Sequence, residues 1–282
     1  FSFATEFERT SGPVKVYKVR FPSPVKSEVD VNNTVHAQYF QPQGDGPFPG
    51  VVVLHILGGD FALSQMISNG LARRGVAALF VKMPYYGERR PKGIRRRMIS
   101  PNLDETLEGM TQAVLDIRRA ATWLEHRQEV NADQLGVMGI SLGGIMSGLS
   151  AGVEPRFQKV AMYLAGGNLH TAMWDSGISE IQQYQAEWKA AGETRDSFIK
   201  KMADVDPITF APQLKNREVL MVNASKDEVI PRACTVALWE RIGTDREIIW
   251  LDAGHYSAAL YIVGEMERLG KFFQPSKEKK ER

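Results

Sequence analysis

The sequence predicts an α/β protein with a mostly parallel central sheet, helices on both faces and a small helical insertion. Three observations point there. Short β-branched and aliphatic runs alternate with longer segments of helical period along the 282 residues, the pattern of crossover units. The run 51–55 is apolar up to its closing His55, as befits a strand covered on both sides. Residues 139–143 place a glycine-flanked serine between a buried strand and a helix.

Taken in order, 14–21 and 35–40 read as two antiparallel strands separated by a Pro-rich turn, followed by the strand 51–55. A helix over 65–74 and the strand 77–82 lead into a polar loop holding Arg89, Arg90, Arg95, Arg96 and Arg97. Leu103, Leu107, Met110, Val114, Ile117, Ala121 and Leu124 recur every three or four residues, laying one apolar stripe along a long helix that Asn102 can cap. The strand 135–139 precedes Ser141 and a small-residue helix over 143–150, and 160–165 is the next strand. Residues 168–205 are helical and amphipathic, longer than a crossover needs, and read as a small cap within a single domain spanning 1–282. Strands over 219–223 and 248–251 and a helix over 257–273 finish the fold, with 277–282 as a charged tail.

Composition excludes several classes of function. With 43% hydrophobic and 24% charged residues the chain can bury a sizeable core, and a net charge of +2 from 35 basic and 33 acidic residues gives no global field for nucleic acid or anionic lipid. One cysteine, Cys234, permits no intramolecular disulfide and no cysteine-based metal cluster. No apolar run approaches the roughly 18 residues that span a bilayer. The chain opens on Phe1, so an upstream segment is expected to have been removed, and the compartment, cytoplasmic or exported, stays open. Homo-oligomer formation is compatible with all of this.

The chemistry starts at Gly139-Ile140-Ser141-Leu142-Gly143. A serine at a tight strand-to-helix turn needs small neighbours two residues either side, and the turn lifts its Oγ above the sheet edge. Its hydroxyl is a poor nucleophile until a base takes the proton, and the base needs a carboxylate to orient it. Asp227 and His255 follow in that chain order, each just past an apolar strand, with Glu228 beside Asp227 as the rival acid. The loop His55-Ile56-Leu57-Gly58-Gly59-Asp60 follows the first buried parallel strand. Its Leu57 amide, or that of Ile56, would pair with the Leu142 amide to hold a developing oxyanion, and His55 reads as a structural side chain bracing the loop. Tyr86 and Arg89 sit in a loop at the same sheet edge, where Arg89 or Arg90 either clamps substrate or belongs to a structural Arg–Glu network; the network is favoured. Trp174 and Trp188 either wall a pocket or pack on the core.

The segments LHILGG, GISLGG, NASKDEVIP and AGHYS, spread from about residue 50 to the end, resemble the α/β-hydrolase superfamily. The DPITFAP segment at 206–212 is similar to the dienelactone-hydrolase, acetyl-xylan-esterase and prolyl-oligopeptidase-like esterase neighbourhood. That resemblance implies a serine esterase acting on a small-molecule ester with no cofactor and no metal, with Ser141, His255 and Asp227 as triad. Ser141 stands where dienelactone hydrolases carry cysteine and haloalkane dehalogenases aspartate, and 282 residues leave no room for a peptidase propeller. A peptidase or amidase on the same triad, and a non-catalytic binding protein on the same fold, are the alternatives.

Overall fold

A computed structural model describes residues 1–275, so the charged tail 277–282 lies outside the described residues. Nine strands form one sheet: β1 (Ala4–Ser11), β2 (Val14–Pro22), β3 (Thr34–Gln41), β4 (Phe48–Leu54), β5 (Ala77–Val81), β6 (Val130–Ile140), β7 (Phe157–Tyr163), β8 (Glu218–Ala224) and β9 (Ile249–Leu251). Their spatial order is β1-β2-β3-β5-β4-β6-β7-β8-β9. The first three strands and the β3–β5 pairing are antiparallel, and every pairing from β5 through β4 to β9 is parallel.

Two apolar layers cover this sheet. On one face α2 (Leu103–Glu125), α3 (Leu142–Val153) and α8 (Arg232–Ile242) bury Ile117, Met146 and Leu238 against Val52, Val137 and Met221. On the other, α1 (Ala62–Ala72) and α9 (Ile262–Phe273) bury Leu71 and Leu269 against Val53 and Met138. Alternate residues of each central strand feed the two layers, which is why those strands are apolar on both faces. Asn102 caps α2, its Oδ1 accepting from the amides of Asp104 and Glu105. Among the described residues no helix is long and apolar enough to cross a membrane.

Between β7 and β8 the chain forms α4 (Leu169–Met173), α5 (Ser179–Ala190) and α6 (Arg195–Met202), then the short α7 (Pro207–Phe210). Trp188, Phe198 and Met202 are buried and continuous with the core under α2 and α3.

The strand β1 and the helix α8 are additions to the sequence reading. β1 is an edge strand exposed along nearly its whole length, so it lacks the alternation that marks a half-buried strand. α8 is short and starts behind Pro231. The closing helix begins later than expected, at Ile262, because 257–261 winds as a 3-10 turn. β6 starts earlier, at Val130, where Val130 and Asn131 pair with Phe48 and Pro49 before 132–134 bulge out of the ladder that resumes at Leu135.

Candidate active site

The turn at Ser141 joins β6 to α3 with φ 55° and ψ −119°. A non-glycine residue there carries strain of about 1–3 kcal/mol and persists only where its surroundings hold it. They do so through close packing. The Ser141 N–H donates to the Tyr163 carbonyl at 2.9 Å, and Ile145 N–H returns to the Ser141 carbonyl at 2.9 Å. A methyl on Gly139 would collide with the backbone of Gly143; one on Gly143 would stand 2.6 Å from the Leu54 carbonyl oxygen, and one on Gly144 2.6 Å from that of Tyr163. The glycine pattern around Ser141 is thus a close approach of α3 to the ends of β4, β6 and β7.

Two further loops converge on this turn. Beyond β8, Asp227 Oδ1 accepts the amides of Val229 at 2.8 Å and Ile230 at 2.7 Å, which fixes the carboxylate plane. Beyond β9, the His255 Nδ1 lies 2.8 Å from Asp227 Oδ2 and 3.0 Å from Oδ1, and its Nε2 lies 3.0 Å from Ser141 Oγ. An ionised carboxylate only accepts, so Nδ1 is the protonated nitrogen and Nε2 is free to accept from the serine hydroxyl. The Asp227 side chain is 2% exposed and that of His255 8%, so water does not compete for the bond between them. Glu228, the rival acid, bonds elsewhere: its Oε2 accepts the backbone N–H of His255 at 2.9 Å. No local pattern marks this part of Glu228, since only the fold brings 228 beside 255.

The loop after β4 is held by His55, which is fully buried. Its Nδ1 donates to the Ile56 carbonyl at 2.8 Å and its Nε2 accepts the Met83 N–H at 3.1 Å, so both nitrogens are used by a neutral ring. Burial pushes the imidazole down to about 4, against the Ile56 hydrogen bond, which favours the charged form. The Ile56 carbonyl and the Leu57 N–H belong to one planar trans peptide. Fixing the carbonyl therefore fixes the direction of the Leu57 amide, and Gly59 N–H adds a second bond to the same carbonyl at 3.3 Å. Leu142 opens α3, so its amide has no carbonyl one turn back within the helix.

The remaining expected residues divide. Tyr86 packs edge-on to His55, with ring centres 4.5 Å apart, and its ring would meet a side chain at Gly59 at 3.0 Å; it lies against the loop. Arg89 is a correction to its place among substrate-binding residues. It is 0% exposed, with Nη2 on Asp116 at 2.7 Å and on the Asn32 carbonyl at 2.8 Å, Nε on that carbonyl at 3.2 Å and Nη1 on the Lys82 carbonyl at 3.0 Å. Trp188 is a second correction: at 1% exposure it is core, packed on Phe198 at 4.8 Å, with Trp174 stacked on it and only half-buried. In the arginine cluster, Arg96 is mostly covered, bonded to Glu108 and lying over the Tyr85 ring, whereas Arg95 is exposed and reaches Glu187 at 3.2 Å. Among the described residues no group of three or more His, Cys, Asp or Glu is placed to hold a metal ion.

The family model of the prolyl oligopeptidase family matches residues 108–273, and that described as alpha/beta hydrolase domain containing 18 matches residues 31–180. Among curated proteins, two uncharacterized proteins of Mycobacterium tuberculosis strains are 25% identical over 189 residues, 64% of this chain and 42% of theirs. The match thus spans less than half the length of those relatives. Among solved structures, acetyl xylan esterase 1 from Thermoanaerobacterium sp. JW/SL YS485 superposes with a TM-score of 0.75 at 21% identity, over 96% of this chain and 88% of that one. The acetyl xylan esterase from Paenibacillus sp. R4 gives 0.75 at 18% identity over 96% and 88%. A cold-adapted esterase from an Arctic intertidal metagenomic library gives 0.65 at 18% identity over 96% and 99%. At these identities the likeness is one of fold. The two family models each cover more than half of the sequence, and the chain belongs to the α/β-hydrolase superfamily.

Proposed function

We propose that the chain is a serine hydrolase that cleaves carboxylic esters of small molecules through an acyl-enzyme. The observation that supports this best is the hydrogen-bonded line from Asp227 through His255 to Ser141. In this reading Ser141 Oγ attacks the ester carbonyl as His255 Nε2 takes its proton, and the imidazolium returns that proton to the leaving alcohol. Asp227 keeps the proton on Nδ1 and stabilises the charged ring. The amides of Leu142 and Leu57 receive the oxyanion, each such donor contributing about 3 kcal/mol to the lowered barrier. A water molecule then repeats the sequence on the acyl-enzyme. Residues 168–205 form the cap beside this site within one domain, and Tyr86 and Trp174 face the substrate from the loop and the cap.

The superposed structures named above are esterases, which favours an ester as substrate. The prolyl oligopeptidase match favours a second reading, amide cleavage on the same triad. Matched p-nitrophenyl esters and anilides decide between them. A fluorophosphonate probe is expected to label Ser141 in the unmodified protein and not in Ser141→Ala. An unlabelled Ser141, with no turnover of esters of any acyl length, refutes the hydrolase reading.

A further inference from the structure

The loops that bear Asp227 and His255 run side by side and are tied along their backbones. The Ser225 amide donates to the Leu251 carbonyl at 2.8 Å and the Lys226 amide to the Ala253 carbonyl at 3.0 Å. Backbone pairing ends there. The next tie is made by a side chain, with Glu228 Oε2 accepting the His255 N–H at 2.9 Å. Glu228 is solvent-exposed, yet among the described residues no lysine or arginine forms an ion pair with it, and the neighbouring Lys226 is taken by Asp252 at 2.7 Å. Its hydrogen bond to His255 is thus a carboxylate accepting from an amide, stronger than a neutral bond of the same geometry. Residue 254 is a glycine where the carboxylate crosses: a methyl there would stand 2.7 Å from the same Oε2.

We propose that Glu228 is a positioning residue for the hydrolysis, its carboxylate clamping the backbone of His255 so that the imidazole meets Asp227 and Ser141 at once. The proposal rests on the triad reading given above. The ring must satisfy two partners at fixed points, 2.8 Å from Asp227 and 3.0 Å from Ser141, and its only remaining freedom is the placement of its own backbone. Asp227 and Glu228 thereby divide the work between two adjacent carboxylates, one holding the ring and one holding the main chain that carries it. Proximity effects of this kind are steep, since displacements near 1 Å cost about a hundredfold in rate.

The Gly254 contact supplies an independent way to break the same bond. The atom a methyl would strike is the far end of a flexible side chain, so Gly254→Ala displaces the carboxylate and leaves the backbone in place. The experiment measures kcat and KM on a p-nitrophenyl ester for Glu228→Ala, Glu228→Gln, Gly254→Ala and the double variant Glu228→Ala/Gly254→Ala, with melting temperatures alongside. Glu228→Ala is expected to lower kcat about tenfold with KM within about twofold, and Glu228→Gln, which keeps an acceptor, to recover most of that loss. Gly254→Ala should match Glu228→Ala, and the double variant should be no slower than either single one, as two routes to one lost bond require. Wild-type kcat in Glu228→Ala, or a double variant whose loss is the product of the two, overturns the clamp while the triad stands. Failure of a fluorophosphonate to label Ser141 in the unmodified protein overturns the triad reading and the clamp together.

Discussion

Among the polar clusters of the described residues, the one around Arg89 and the one around Ser141 differ in whether they are closed. Around Arg89, the guanidinium meets Asp116, the Asn32 carbonyl and the Lys82 carbonyl, Asp116 also accepts from Ser23, and Asn32 is bonded to Gln112 and to the Tyr85 amide. Desolvation pushes the Asp116 carboxyl up, and the Arg89 charge opposes it. This network ties the segment 23–33, the Tyr85 loop and α2 into one piece. Around Ser141 the same inventory of groups is left open. Among the described residues the serine hydroxyl has one side-chain partner, His255, and the Leu142 amide at the start of α3 has no helical acceptor. Burial and charge alone make both clusters look functional; unspent hydrogen-bonding capacity at an accessible sheet edge separates a site that can do chemistry from one that holds a loop.

The comparison is most easily broken at its open end. Ser141→Ala should reduce ester turnover by about 10⁴-fold or more while moving the melting temperature by less than about 2 °C, checked by steady-state kinetics and calorimetry. At the closed end the expectation inverts. Arg89→Ala strands Asp116 without its partner and should cost about 3–5 kcal/mol of stability, with kcat/KM of the folded enzyme within about threefold. The paired replacement Arg89→Met/Asp116→Leu should regain most of that stability in urea unfolding. Selective loss of acidic-ester turnover in Arg89→Ala, with an unchanged melting temperature, would turn Arg89 back into a substrate contact.

His55 stands between the two kinds of cluster, closed in itself but bracing the open one. His55→Ala is expected to lower kcat by about a hundredfold, the scale of one oxyanion donor lost, with little change in KM. The ring also has a pH signature. Its pKa is held near 4 in the folded protein against 6.5 for the free side chain, so the unfolded state takes up the proton first. Stability from this group is whole above pH 6.5 and is lost as the pH falls toward about 4, by up to about 3 kcal/mol. Chemical denaturation of His55→Gln across that window should show a correspondingly flatter profile. The smallest effect is expected at the exposed Arg95–Glu187 pair, where Arg95→Ala should change stability by less than about 1 kcal/mol, and less still at high salt.

What could be read from the sequence follows the same division. Ser141, Asp227 and His255 each lie one short step beyond an apolar strand, so a local pattern placed all three at the same sheet edge. The parallel strands were legible because their burial on both faces leaves runs with no polar residue. Arg89 carried no local mark of its partners: Asp116 is 27 residues ahead in the chain and Asn32 57 behind, and only the fold brings them together. Trp188 sits at a spacing that suits a pocket wall and a core equally, and Phe198 beneath it decides for the core. β1 carries no such mark, because an edge strand exposed along nearly its whole length needs no apolar alternation. The tie between Glu228 and His255 joins side chain to main chain, and such bonds leave no residue pattern at either end.

Gly143 bears on how such a scaffold can change. A single hydrogen atom separates the start of α3 from the Leu54 and His55 carbonyl oxygens, so the gap between the serine turn and the loop after β4 is set by hard contact. Any larger residue wedges these two walls apart and takes the Leu142 and Leu57 amides with them. On the proposed hydrolase reading, divergence toward new acyl or alcohol groups is therefore barred from this seam and must fall on surfaces that tolerate exchange, such as Tyr256 and Leu260, which follow His255 at 75% and 83% exposure.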